Sequence, residues 1–238
     1  MKSDIIILHG WGLSGSRFSS LREELEKRGH RVWSPDFPGF GKEAMPRTPY
    51  HLEDYVLFLK KFISDHKIMH PGLVGHSFGG RVALKYDFLY PMSCSWIVLT
   101  GTPGFSPVPS GRLKVLIAIA QIGNAFLSLP VLSYLKNFAR KSYYYLVGAR
   151  EFTRAVGTMQ ETFKNIVAEN LVPCMEKMSV PCYLIWGEKD LMVPVSIAKR
   201  MNYLIDKSHL AIHKDIGHNF PYQSAKEFVW ELENFSLI

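Results

Sequence analysis

The 238 residues are 47% hydrophobic and 21% charged, a globular composition that excludes a low-complexity or disordered chain. The formal net charge of +7 can steer anionic partners from a distance, but the Lys and Arg residues are scattered, which excludes a nucleic-acid-binding arm. Three cysteines, Cys94, Cys174 and Cys182, match neither a zinc site nor a redox pair, and read as buried free thiols of a reducing compartment.

Asp4 to Leu8 is a continuous apolar, β-branched run, as expected of a strand buried on both faces of a parallel sheet. The chain enters this pattern without the n-region and cleavage site of a signal peptide, so a cytoplasmic location is expected. Ser16 to Arg28 places Phe18, Leu21 and Leu25 on one helical face, with Gly29 just past its end. Arg31 to Ser34 is a short second strand that runs into the Gly/Pro-rich loop Asp36 to Gly41. Leu52 to His66 carries Tyr55, Phe58, Leu59 and Phe62 at helical spacing. Gly72 to Gly75 is a third strand, Phe78 to Tyr90 a helix stopped before Pro91, and Ser95 to Thr100 a fourth strand.

From Thr102 to Ser179 no strand pattern occurs, and the segment reads as a helical insertion over one edge of the sheet. Within it, Val115 to Leu135 has no charged residue and reaches a membrane-spanning length. Gln121, Gly123, Asn124, Ser128 and Pro130 interrupt that stretch, so a buried or pocket-facing helical hairpin is expected rather than an integral membrane segment. Pro181 to Trp186 is a fifth strand, Val195 to Ile205 a helix, and His209 to His213 a sixth strand. Pro221 to Phe235 closes the chain as a helix with proline in its first turn. Strands alternating with helices imply a mostly parallel sheet with right-handed crossovers. One domain over 1–238, with an insertion at about 102–179, accounts for the whole chain.

Gly75-His76-Ser77-Phe78-Gly79-Gly80 joins the third strand to a helix, the context in which G-x-S-x-G makes a nucleophile elbow. Glycine at 75 and 79 removes the clash of side chains with the neighbouring strand and helix. An incidental serine in a tight turn is the plain alternative, and the flanking elements favour Ser77 as a nucleophile. A serine hydroxyl needs a base, and the base needs a group to fix its tautomer. His218, in Ile216-Gly217-His218-Asn219 after the last strand, reaches the carboxyl edge of the sheet, where such folds bind ligands. His30, His51, His66, His70, His209 and His213 read as surface or core residues, and His76 should point its ring away from Ser77. Asp190 follows the fifth strand, which gives the chain order Ser, Asp, His; Glu188 and Asp215 are rival carboxylates. The backbone amides of Phe78, at a helix N-terminus, and of Trp11, in His9-Gly10-Trp11-Gly12, are the expected oxyanion donors. No Cys/His/Asp cluster has metal-ligand spacing, so neither metal nor cofactor is expected.

Taken together, His9-Gly10-Trp11-Gly12, Asp36-Phe37-Pro38-Gly39-Phe40-Gly41, Gly75 to Gly80, Gly187-Glu188-Lys189-Asp190 and Gly217-His218 resemble the α/β-hydrolase superfamily. The His9 to Leu13 start and the length of the insertion also resemble the pimeloyl-carrier-protein methyl ester esterases of biotin synthesis. The resemblance implies an α/β-hydrolase fold, hydrolysis of a small-molecule ester or thioester through an acyl-enzyme, and a helical lid. The superfamily usually carries two antiparallel strands ahead of the first strand found here, so a six-stranded sheet with one edge exposed or otherwise protected is expected. Carbon–carbon bond hydrolysis of a diketone-like substrate, or a non-catalytic ligand-binding role, are the alternatives. Trp11, Phe78 and Phe126 are expected to line the substrate pocket. Arg112, Lys114, Lys136, Arg140, Lys141, Arg150, Arg154 and Lys164 outnumber Glu151, Glu161, Glu169 and Glu176 in the insertion. That excess would suit an acidic acyl-carrier protein, although a solvated cationic surface explains it as simply.

Overall fold

In a computed structural model, residues 3–105 and 157–238 are described. The expected hairpin at Val115 to Leu135, Phe126, and all of the basic residues named in the insertion except Lys164 lie outside them. Six strands form one sheet: β1 (Asp4–Leu8), β2 (Arg31–Trp33), β3 (Gly72–His76), β4 (Trp96–Thr100), β5 (Cys182–Gly187) and β6 (His209–His213). Their order is β2-β1-β3-β4-β5-β6, and every pairing is parallel. The chain leaves β1 toward β2 on one side and returns to β3 on the other. The topological switch point therefore falls between the carboxyl ends of β1 and β3, the position where open parallel sheets form a crevice.

Strand alternation builds two cores. Ile6, Leu8, Leu73, Ile97, Leu99 and Leu184 face one layer, and Ile5, Ile7, Val74, Val98 and Ile185 face the other. The first layer holds α2 (Leu52–Asp65), α3 (Phe78–Leu89), α4 (Thr158–Ala168), α5 (Val172–Glu176) and α6 (Val195–Leu204). The second holds α1 (Ser19–Lys27), α7 (Phe220–Gln223) and α8 (Ala225–Asn234). With both faces covered, the central strands are apolar throughout, which is why β1 and β4 read as unbroken hydrophobic runs.

Two helices differ from their sequence patterns. A 3₁₀ turn at Gly15–Phe18 precedes α1, so the periodic stretch is not one helix. The closing helix breaks at Ser224, whose φ of −128° and ψ of 52° leave the helical region and cap α8. At the β2 edge, the strand has three residues and carries the exposed Arg31, which is paired with Asp4. A short, charged edge strand resists pairing with other chains. A hollow of about 700 Å³ lies against this edge, lined by Arg22, His30, Trp33, Phe62 and His66 among others. Among the described residues, no helix is long and apolar enough to cross a membrane.

The three cysteines are buried and free. Burial disfavours the thiolate, pushing Cys94 up to about 12 and Cys174 to about 11, and Cys182 is raised for the same reason. A disulfide reagent such as DTNB at pH 8 should therefore titrate almost no thiol in the folded protein and all three after denaturation. Rapid reaction of one thiol in the native protein would contradict this packing.

Candidate active site

The turn between β3 and α3 sets the geometry. Ser77 has φ of 52° and ψ of −112°, a left-handed conformation that a residue with a side chain adopts only under constraint. The constraint is steric: a Cβ on Gly79 would stand 2.1 Å from the Leu8 carbonyl oxygen, and one on Gly75 would stand 2.5 Å from the Gly80 Cα. The Ser77 amide donates to the Thr100 carbonyl at 2.9 Å, tying the turn to the end of β4. Ser77 is partly exposed, while both of its neighbours are buried.

His218 comes from the loop after β6. Its Nδ1–H donates to Asp190 Oδ2 at 2.8 Å, and both side chains are nearly buried. The other carboxylate oxygen, Oδ1, accepts the backbone N–H of Met192 at 2.9 Å and of Val193 at 2.8 Å. Each Asp190 oxygen thus has a donor, which fixes the carboxylate plane. The two loops are joined by their backbones, Lys189 N–H to Ile216 O at 2.8 Å and Glu188 N–H to His213 O at 2.8 Å. The rival carboxylates stand elsewhere: Glu188 is exposed, and Asp215 pairs with Lys189 at the surface at 2.5 Å.

On the other side of the crevice, the loops after β1 and β2 are locked together. The Phe37 N–H donates to His9 Nε2 at 2.9 Å, so the His9 proton sits on Nδ1, which donates to the Gly10 carbonyl at 2.8 Å. Asp36 accepts from the Gly15 and Lys42 amides at 2.6 and 2.8 Å. Trp11 follows this lock, and its ring packs 4.9 Å from Phe40, 5.0 Å from Phe163 and 5.5 Å from Phe78. The Phe78 ring is enclosed further by Tyr55 and Phe37. The side chains of the two expected amide donors therefore belong to an aromatic cluster that anchors their backbones. Among the described residues, no three His, Cys, Asp or Glu side chains are grouped to hold a metal ion.

Two neighbours of the site escape a sequence reading. Gly101, with φ of 55°, lies under His218: a Cβ there would come within 2.7 Å of the imidazole. A glycine directly after a strand at the carboxyl edge was the only available signal. His76, set aside because successive side chains diverge, places its ring 4.8 Å from that of His218 and also against Tyr222 and Phe18.

Burial lowers the pKa of His9, and lowers that of His76 well below its ordinary value, with the nearby His218 adding to the effect at His76. Both are therefore neutral in the fold. As pH falls below about 6.5, the unfolded chain binds protons that the folded one refuses, so stability present above that pH is lost on acidification. The urea midpoint should fall between pH 7.5 and 5.5, and fall less in a His76→Phe variant. An identical pH dependence in the two proteins would show that His76 does not titrate in this way.

A model of the alpha/beta hydrolase family matches residues 5–232. A 2-hydroxy-6-oxononadienedioate/2-hydroxy-6-oxononatrienedioate hydrolase of Klebsiella pneumoniae subsp. pneumoniae is 26% identical over 262 aligned residues, covering 98% of this chain and 87% of that protein. An esterase from Exiguobacterium antarcticum superposes with a TM-score of 0.75 at 21% identity, covering 98% of this chain and 91% of its own. A bromoperoxidase from Bacillus anthracis does so with a TM-score of 0.74 at 23% identity, covering 100% and 93%. At these identities the structural likeness shows the fold alone, a six-stranded parallel sheet flanked by helices.

Proposed function

The chain belongs to the alpha/beta hydrolase family, and on that premise we propose that it is a serine hydrolase of carboxylic esters with Ser77, His218 and Asp190 as its catalytic residues. The observation that carries this reading is the His218–Asp190 pair, held at the carboxyl edge of the sheet where the left-handed turn exposes Ser77.

In this mechanism, Asp190 holds the Nδ1–H of His218 and leaves Nε2 unprotonated to act as base. Nε2 takes the Ser77 hydroxyl proton as Oγ attacks the ester carbonyl. The developing oxyanion is held by the backbone N–H groups of Trp11 and Phe78, the latter aided by the N-terminal end of α3. Collapse breaks the ester C–O bond, and the alcohol leaves with the proton from His218. Water, deprotonated by the same nitrogen, then hydrolyses the acyl-enzyme. All the chemistry runs on protein side chains and backbone amides, and the three buried thiols suit the cytoplasm.

A second reading has one specific support. The Klebsiella relative is named as a hydrolase of 2-hydroxy-6-oxo dienedioates, so carbon–carbon cleavage of a diketone-like substrate by the same residues competes with ester cleavage. A non-catalytic binder is weakened by the retention of nucleophile, acid, base and glycine-rich turns in one chain.

A fluorophosphonate probe should label Ser77. Ser77→Ala should abolish labelling and lower kcat on p-nitrophenyl esters by about 10⁴-fold or more, and Asp190→Asn should cost roughly 10²- to 10⁴-fold. Asp215→Asn should change little. Faster turnover of a ring-opened 2-hydroxy-6-oxo dienoate than of any ester would favour the second reading. Retained hydrolysis in Ser77→Ala would overturn both.

We propose that the natural acyl group is delivered on an acidic acyl-carrier protein that meets the basic residues of the insertion. Arg140→Glu with Arg154→Glu should slow hydrolysis of a carrier-bound ester mainly through association, with strong salt dependence, and leave a small neutral ester unaffected. Equal losses on both substrates, or none on either, would remove the carrier from the account.

A further inference from the structure

Arg81 lies one helical turn beyond Ser77 on α3 and is 2% exposed. Among the described residues, no carboxylate neutralises its guanidinium by direct contact. Instead, Nη1 donates to the Pro103 carbonyl, and Nη2 donates to the carbonyls of Ile166 and Glu169, both at 2.6 Å. Nε has no hydrogen-bond partner among the described residues. Burial pushes this guanidinium down to about 10, so it remains a cation at neutral pH.

The three acceptors come from two distant segments. Pro103 lies just after β4, on the chain entering the insertion. Ile166 lies in the last turn of α4 and Glu169 just beyond it, where helix carbonyls lack intrahelical donors and the dipole favours a cation. Lys85, one turn further along α3, pairs with the Glu169 carboxylate at 2.9 Å. Thus α3 begins at the candidate nucleophile and, on its next two turns, holds Pro103 near the start of the insertion and the end of α4 in its later part.

What α4 presents in return lies beside the crevice. Phe163 packs 5.0 Å from the Trp11 ring, and Met159 so fills the space over Gly39 that a Cβ there would stand 2.7 Å from its methyl carbon. Thr162 Oγ1 accepts the Tyr50 N–H at 2.8 Å, and Asn165 donates to the Tyr50 carbonyl at 3.2 Å. A charge buried against neutral carbonyls is an expensive way to fill space, since an apolar side chain would fill it without desolvation. What the guanidinium provides is direction, through planar donors that join segments remote in sequence.

We propose that Arg81 is a positioning residue for substrate choice: by pinning α4 to the helix that carries Ser77, it fixes the Phe163–Met159 wall beside Trp11 and so sets how large an acyl group the site accepts. This rests on the ester-hydrolase reading of Ser77 and adds the residue that tunes it.

The test uses Arg81→Lys, which keeps the charge but not the fork, Arg81→Met, and Phe163→Leu. In Arg81→Lys, the fluorophosphonate labelling rate of Ser77 and kcat/KM for p-nitrophenyl acetate should stay within about twofold of the parent. KM for the hexanoate should rise about tenfold, kcat should change less, and amides of residues 158–168 should exchange faster with deuterium. The losses of Arg81→Lys and Phe163→Leu on the hexanoate should not add, because both act through one wall. If Arg81→Met fails to fold, the other two variants carry the comparison. Equal losses on acetate and hexanoate, additive losses, or unchanged exchange in 158–168 would each overturn the proposal. Should the parent hydrolyse no ester, the functional reading fails by itself, and the exchange measurement still decides whether Arg81 pins α4.

Discussion

Where β3 passes into α3, the backbone comes so close to the end of β1 that no side chain fits at Gly79, and the chain can make the turn only by forcing Ser77 into positive φ. The rest of the site is arranged around that close approach. It puts Ser77 at the carboxyl end of β3, at the switch point between β1 and β3, with the Phe78 amide at the start of a helix. It also requires the loop after β1 to stay in place, because Leu8 and His9 carbonyls are the atoms that Gly79 nearly touches. The strain at one residue is maintained by a core in which Ile5 to Leu8 of β1 and all of β3 and β4 are buried.

Polar side chains then fix the loops that the sheet only delivers. His9 and Asp36 accept backbone N–H groups from the loop after β2 and its neighbours, and Asp190 accepts two from the loop after β5. In each case a side chain satisfies amides that have no strand partner, which a buried loop must arrange in some way. His218 is oriented at the end of this chain of contacts, with Gly101 beneath its ring and His76 behind it. The proposed base is thus held by groups from the end of β3 and from the loops after β4 and β5.

Much of this was legible in the sequence for local reasons. The six strands are short apolar runs between turn residues, and their parallel pairing follows from alternation with helices. The Ser77 turn announces itself because its glycines adjoin the serine, and Asp190 and His218 each follow a recognisable strand. What was not legible depends on residues far apart. The packing of His76 on His218, the space demanded at Gly101 and the reach of Arg81 to Pro103, Ile166 and Glu169 leave no periodic trace. The break at Ser224 was hidden for a different reason: the apolar spacing continues through it, and only the backbone angles reveal the stop.

The order in which the strands are made has a consequence for biosynthesis. The strands β2, β1, β3 and β4 are contiguous in the sheet and lie within the first hundred residues, so they can pair while the remainder of the chain is still being translated. Docking β5 onto β4 must wait for the whole insertion, and closing so long a loop is entropically the slowest kind of pairing. Asp190 and His218 arrive only with that second half. A nascent chain therefore holds Ser77 on a partly built sheet with neither the proposed acid nor the proposed base beside it, and in the proposed mechanism its hydroxyl stays unactivated until the chain beyond the last strand is in place.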